Sequence, residues 1–131
     1  MDFTLGQISE ATAQQTMFAA LHRVRQLRGV RAAALTTMLP FGNLTNARRV
    51  MRMDETVTAK TDPNAPEPGA GGLFTAVTPG WFDTIGVRLL RGRDFIDTEA
   101  ENKGSPPVLI IDEMMAKKLF PKGDVVGQHL R

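Results

Sequence analysis

Histidine is the side chain on which much nucleophilic and metal-assisted chemistry depends, and this chain of 131 residues has two, His22 and His129. Cysteine is absent, which excludes thiol catalysis, disulfide bonds and cysteine-based metal sites. Neither histidine has a second histidine or a carboxylate beside it at the spacing of a metal site. Because a serine nucleophile needs a histidine base within reach, we expect both histidines to be exposed polar side chains, with His22 on the solvent face of a helix.

Carboxylates are the other residue type that could carry chemistry. Asp112 and Glu113 are adjacent, so on a helix they point in different directions, and helix capping explains both. A second group consists of Asp94, Asp97, Glu99 and Glu101. It lacks the ligand order and central glycine of a calcium-binding loop, which leaves open only a weak, adventitious cation site. The glycine-rich residues 69–72 precede a strand and lack the Lys-Ser/Thr of a phosphate-binding loop. The sequence therefore predicts no catalytic residue, no cofactor or cofactor-binding residue, and no metal ligand.

The charge of the chain is nearly balanced, with 16 basic and 14 acidic residues and a net charge of +2. An excess of this size does not indicate a nucleic-acid partner. Seven of the arginines gather in two groups, which are Arg23, Arg25, Arg28 and Arg31, and then Arg48, Arg49 and Arg52. A solvated helix face is the ordinary interpretation, and a patch for phosphate or anionic lipid head groups is the alternative. The aromatic side chains lie in apolar contexts typical of a core, which does not favour single-stranded nucleic acid as a partner.

The first element that must position these side chains is a helix. Ser9 is a candidate N-cap, because its hydroxyl can accept a hydrogen bond from the first turn. The apolar face of this helix comprises Met17, Leu21, Val24 and Leu27. Gly29 is the expected stop, and residues 30–39 follow as a small apolar strand that Pro40 ends. A helix followed by a short turn and a strand is half of a βαβ unit.

The middle of the chain changes character. Residues 41–47 are typical of a loop, and residues 49–57 alternate weakly as in a partly exposed strand. Residues 59–72 are rich in proline and glycine, which indicates a mobile loop or a connector between lobes. No stretch reaches the roughly 20 apolar residues that cross a bilayer, and no signal peptide is visible.

The second half is predicted to alternate between short strands and short helices. The predicted strands are residues 73–77, 87–90, 108–111 and 125–130. Residues 108–111, a β-branched apolar run, are typical of a central strand that is covered on both faces. Thr78 is a candidate cap for a helix with Pro79 in its first position, in which Trp81, Phe82 and Ile85 face the core before Gly86 ends it. Residues 97–104 are expected to be an acidic surface loop. Asp112 is expected to cap a helix over residues 113–120. The fold class is therefore α+β, with helices on one side of a mostly antiparallel sheet.

Several long motifs resemble one protein family. Residues 77–82 (VTPGWF) with residues 84–86 are similar to V-S-P-G-Y-F-x-T-L-G, and residues 87–95 (VRLLRGRDF) continue as I-P-L-L-x-G-R-D-F. The other similar stretches are residues 27–40, residues 107–112 (PVLIID) and residues 116–127 (AKKLFPKGDVVG). Together they resemble the periplasmic core domain of MacB-like ABC transporter permeases, within the wider FtsX-like group. The departures are small: Trp81 stands for Tyr or Phe, Asp112 for Asn, and Val125 for Pro.

The resemblance implies a two-lobe extracytoplasmic domain. Residues 1–40 and 101–131 would form a βαβ-rich, ferredoxin-like or porter-like lobe. Residues 41–100 would form a smaller inserted β-rich lobe, with a flexible connector at 59–72. The domain would sit at the periplasmic face of the inner membrane, between two transmembrane helices that lie outside both ends of this sequence.

The mechanism that the resemblance implies is mechanical rather than chemical, so the chain is not expected to be an enzyme. A cytoplasmic ATPase would hydrolyse ATP, the transmembrane helices would carry the motion, and the domain would change arrangement for export or efflux. The implied partners are those helices and that ATPase, a second permease copy and a periplasmic adaptor protein. The alternative is a ligand- or peptide-binding module without transport coupling, and a small hydrolase is a third hypothesis.

Overall fold

The computed structural model describes residues 9–39, 46–56, 68–102 and 104–131. The helices are α1 (Glu10–Arg25), α2 (Trp81–Ile85), α3 (Asp97–Glu101) and α4 (Glu113–Leu119), and the strands are β1 (Ala47–Val50) and β2 (Ala70–Leu73). The mixture of helix and strand confirms the α+β class. The only sheet among the described residues is a two-stranded antiparallel one, which is smaller than the sheet that the sequence predicted.

Helix α1 begins where its capping signal predicts. The Ser9 hydroxyl accepts a hydrogen bond from the Thr12 amide at 3.2 Å, and the helix ends at Arg25, after which turns lead to Gly29 with φ 91°. Leu21 is buried. Val24 is 41% exposed, and Leu27 lies beyond the helix and is 59% exposed, so the predicted place of both on the inner face is wrong. The apolar face is shorter than the sequence predicts because the helix stops one turn earlier.

The two strands of the sheet lie a few residues before the strands that the sequence predicts. Ala47 faces Leu73 and Val50 faces Ala70 in antiparallel register. Residues 70–72, predicted as the end of the connector, are therefore part of β2. Glycine at position 72 allows this, because a Cβ there would lie 2.7 Å from the Met115 Cε of α4. Residues 57–67, the rest of the predicted connector, lie outside the described part of the chain.

The predicted strands over residues 30–39 and 125–130 are each reduced to a single bridge. Thr36 pairs with Val77, flanked by hydrogen bonds from the Thr37 amide to the Ala76 carbonyl (2.9 Å) and from the Thr78 amide to the Leu35 carbonyl (3.0 Å). Near the C-terminus Arg52 pairs with Leu130. The predicted strand over residues 87–90 is not formed.

The short helices correct two details of the prediction. Helix α2 is preceded by Gly80 with φ 81° and not by Thr78. Thr78 is instead buried, and its hydroxyl accepts a hydrogen bond from the Leu35 amide at 2.8 Å. The acidic stretch expected to be a loop contains helix α3. Gly86, with φ 73°, ends α2 as predicted, although Ile85 is 40% exposed and does not face the core.

Residues 108–111 are the largest departure from the sequence prediction. They form no strand, and residues 106–111 make no backbone hydrogen bond within the described part of the chain. Val108 and Leu109 are 44% and 43% exposed, so the prediction of burial on both faces is wrong for them. A strand needs a neighbour for its backbone groups, and no described segment takes that place. The helix that follows does begin as predicted, because Asp112 Oδ1 accepts a hydrogen bond from the Met115 amide at 2.6 Å.

Few side chains of the described residues are fully buried. The buried apolar ones are Ala13, Leu21, Ala70 and Leu119. Contacts between β2 and α4 connect the sheet to the last helix. No helix within the described ranges is long and apolar enough to cross a membrane.

Candidate functional site

The side chains of both histidines are exposed. His22 Nε2 lies 3.3 Å from Glu101 Oε1, an exposed contact between α1 and α3. The His129 side chain is exposed, and its carbonyl accepts a hydrogen bond from the Met53 amide at 3.3 Å. The described residues contain no group of three or more His, Asp or Glu side chains arranged to hold a metal ion. The expectation of exposure is confirmed for both, while the contact of His22 with Glu101 was not predicted.

The carboxylates between residues 94 and 101 are engaged by the chain itself. The Asp94 carboxylate accepts hydrogen bonds from the Gly80 and Phe95 amides, each at 2.8 Å. Glu99 accepts two hydrogen bonds from the Arg93 guanidinium (3.0 and 2.5 Å) and one from the Ile96 amide (3.0 Å). The Arg93 hydrogen bond, followed by that of the Ile96 amide, lowers the Glu99 pKa to about 2. Asp94 therefore stabilises the turn before α2, and Glu99 stabilises the start of α3.

Arg25, at the end of α1, joins segments that are far apart in sequence. Its Nε donates to the Ala33 carbonyl at 3.0 Å and its Nη2 to the Pro79 carbonyl at 2.6 Å. Its Nη1 lies 3.8 Å from Asp97 Oδ1, and the side chain is only 27% exposed. From the sequence, Arg25 was interpreted, with its neighbouring arginines, as part of a solvated helix face. The sequence carried no signal that separates it from the arginines around it.

The second arginine group has local partners too. The Arg52 guanidinium donates to both carboxylate oxygens of Asp54, at 2.8 and 2.9 Å. The Arg48 guanidinium lies over the ring of Phe74, 5.3 Å from its centre, where a cation is attracted by the ring face. The Arg49 guanidinium donates to the Pro68 carbonyl at 3.3 Å. These contacts weaken the alternative of a single anion-binding patch, because all three arginines already have partners.

An open groove lies on one side of the described structure. It has a volume of ≈ 1080 Å³ and runs between α1, the Thr36–Val77 bridge, residues 106–111 and α4. Its lining is mostly apolar. The aromatic pair Trp81 and Phe82 lies there, with ring centres 5.1 Å apart in an edge-to-face arrangement. A groove of this kind can accept an amphiphile or an extended apolar peptide.

The described part of the chain is thus a mixed α+β domain whose charged side chains secure turns and helix ends. The family model described as the MacB-like periplasmic core domain matches residues 3–131, and the chain belongs to that family. This is a family of extracytoplasmic domains of ABC transporter permeases, which are not themselves catalytic. Comparisons with curated proteins and with solved structures give no match.

Proposed function

We propose that the chain couples ATP hydrolysis, carried out by a cytoplasmic domain or subunit, to a conformational change on the periplasmic side of an ABC transporter permease that exports its substrate. The observation that carries this proposal is the family match over residues 3–131. The contacts of Arg25 and Asp94 support it, because a domain that transmits motion needs segments that move together.

The two-lobe organisation is part of the proposal. Residues 1–40 and 101–131 form the porter-like lobe, and residues 41–100 form the inserted lobe. Pairing of β1 with β2 lies wholly within residues 41–100, which supports a unit around these two strands. The Thr36–Val77 bridge and the hydrogen bond from Arg25 to the Pro79 carbonyl would join the end of this stretch to the porter-like lobe. The hydrogen bonds between Met51 and Arg131, at 2.8 and 2.9 Å, would join this unit to the end of the porter-like lobe.

The partners follow from the proposed role. The domain works with the transmembrane helices and ATPase of its own transporter, anchored at the periplasmic face of the inner membrane. A second copy of the permease and a periplasmic adaptor protein complete the assembly. Motion at the ATPase changes the arrangement of the two copies of this domain.

Spin labelling of the parent permease tests the proposal. Met114 is 79% exposed on α4, and the domain has no cysteine, so Met114→Cys introduces one label site per domain. Double electron–electron resonance would measure the distance between the two labels in ADP and in ATP with vanadate. We expect the distance distribution to shift on nucleotide trapping. The same distribution in both nucleotide states, in a permease that still hydrolyses ATP, would contradict coupling through this domain.

The apolar groove favours a second candidate function, a ligand- or peptide-binding module. Its volume of ≈ 1080 Å³ is large enough for a drug-sized or peptide ligand. Thermal unfolding of the chain would be measured with dodecylphosphocholine below its micellar concentration and with uncharged valine-rich hexapeptides. A melting temperature that rises with ligand concentration supports binding, and Trp81→Ala should abolish that rise. Unchanged melting temperatures throughout would count against this function.

A further inference from the structure

The peptide group between Pro79 and Gly80 is hydrogen-bonded to a charged side chain at both its carbonyl and its amide. The carbonyl of Pro79 accepts a hydrogen bond from Arg25 Nη2 at 2.6 Å. The amide of Gly80, which belongs to the same peptide plane, donates to Asp94 Oδ2 at 2.8 Å. A cation therefore lies at the oxygen end of this peptide dipole and an anion at its hydrogen end.

The two hydrogen bonds reinforce each other. A guanidinium that polarises the Pro79 carbonyl makes the Gly80 amide a better donor, and a carboxylate that accepts from the amide makes the carbonyl a better acceptor. Hydrogen bonds with a charged partner are also stronger than neutral ones. Arg25 and Asp94 are both partly buried, so water competes with these bonds less than it does on an open surface.

The peptide that they hold is the junction of several segments. Arg25 belongs to α1, Gly80 directly precedes α2, and Asp94 leads into α3. Arg25 also donates to the Ala33 carbonyl and lies 3.8 Å from Asp97 Oδ1, at the start of α3. The turn itself depends on Gly80, whose φ of 81° is costly for a residue with a side chain.

We propose that Arg25 and Asp94 clamp the Pro79–Gly80 peptide and make α1, α2 and α3 move as one rigid body. In the context of the proposed function, on which this last step depends, the clamp is the positioning device through which motion of α1 reaches the rest of the domain. Neither residue is catalytic, because each acts only through the peptide that it holds.

Amide hydrogen exchange of the 131-residue chain tests the clamp. The Trp81 amide (to the Thr78 carbonyl) and the Thr84 amide (to the Gly80 carbonyl) report on the held turn, and the Phe74 amide (to the Asn46 carbonyl) is an internal reference. Arg25→Met removes the donor to the Pro79 carbonyl together with the contacts to Ala33 and Asp97, and Asp94→Asn removes the charge of the group that accepts from the Gly80 amide. We expect each variant to raise exchange at the two reporters about tenfold, because charge-assisted hydrogen bonds to the held peptide are lost or weakened. Exchange of the reference amide should stay unchanged.

The double variant separates a clamp from two unrelated contacts. If the bonds reinforce each other, exchange in Arg25→Met/Asp94→Asn should rise by clearly less than the product of the two single effects. A rise equal to that product would overturn the proposal. So would an equal rise at the Phe74 reference, since that would report general destabilisation.

A matched control and a second readout guard against misfolding. Arg23→Met removes the same side chain two positions away, where the described structure gives it no partner, and should leave all reporters unchanged. Trp81 is the chain's sole tryptophan, so acrylamide quenching of its fluorescence should rise in both clamp variants but not in Arg23→Met. The clamp is tested by exchange and quenching in the 131-residue chain. Coupling is tested by the labels at Met114 in the permease, so either proposal can fail without the other.

Discussion

Thr78 offers a sharp test of how the two halves of the chain are joined. It is the one buried polar residue among those described, at 6% exposure. Its hydroxyl accepts a hydrogen bond from the Leu35 amide at 2.8 Å, and its own amide donates to the Leu35 carbonyl at 3.0 Å. Thr78→Val keeps the shape of the side chain and removes the acceptor, so the Leu35 amide loses its partner.

The magnitude follows from the cost of an unsatisfied polar group. A donor left without a partner away from water costs about 1–3 kcal/mol. Because the Leu35 amide is only partly buried, we expect Thr78→Val to lower the free energy of unfolding by about 1–2 kcal/mol. Urea unfolding followed by circular dichroism would measure it, with the slope of the transition checked for equality between variants.

Thr78→Ser is the matched control. It keeps the hydroxyl and removes the methyl group, so the hydrogen bond to the Leu35 amide is retained while a small apolar contact is lost. We expect Thr78→Ser to be more stable than Thr78→Val. If the two variants were equally destabilised, or if Thr78→Val unfolded at the wild-type urea concentration, the hydroxyl would have no role in joining these segments.

Three further outcomes are expected. The Glu99 pKa is lowered to about 2 in the folded chain by Arg93, so the stability that Glu99 contributes is fully present above pH about 4.5 and is lost as the pH falls through about 2. In urea unfolding, a Glu99→Gln variant should be less stable than wild type at pH about 6, and the difference should shrink steadily as the pH falls toward about 2. Gly72→Ala should destabilise the chain by about 1 kcal/mol, because its Cβ would lie 2.7 Å from the Met115 Cε, and Met115→Leu should relieve part of this loss in urea unfolding. Leu119→Ala should cost about 2–5 kcal/mol in the same assay, since Leu119 is 4% exposed.

The starts of α1 and α4 and the end of α2 were the most predictable features of this chain. Ser9 and Asp112 were expected to cap helices, and each side chain accepts a hydrogen bond from the backbone amide three residues later. Gly86 was expected to end a helix and has φ 73° there. These signals are local, because a cap and its partner lie within one turn, so the sequence alone contains both sides of the interaction.

Strands were less predictable because half of each interaction lies elsewhere in the chain. Residues 108–111 have the composition of a buried strand, yet no described segment pairs with them. Residues 70–72 have the composition of a loop, yet they pair with β1, and Gly72 allows close approach to α4. The composition of a segment shows whether it is compatible with a strand, but a strand forms only where a second segment is positioned to pair with it.

The clamp could not be predicted from the sequence for a related reason. Arg25 and Pro79 are 54 positions apart, and Gly80 and Asp94 are 14 apart, so no single window contains the three participants. Yet two of the stretches on which the family resemblance was based, residues 77–82 and 87–95, provide the held peptide and its carboxylate. The hydrogen bond from the Gly80 amide to Asp94 joins these two stretches, so a need for both to fix the turn before α2 would be one physical explanation of their similarity to the family. An Asp94→Asn variant that left the Trp81 amide as protected as in wild type would remove this explanation.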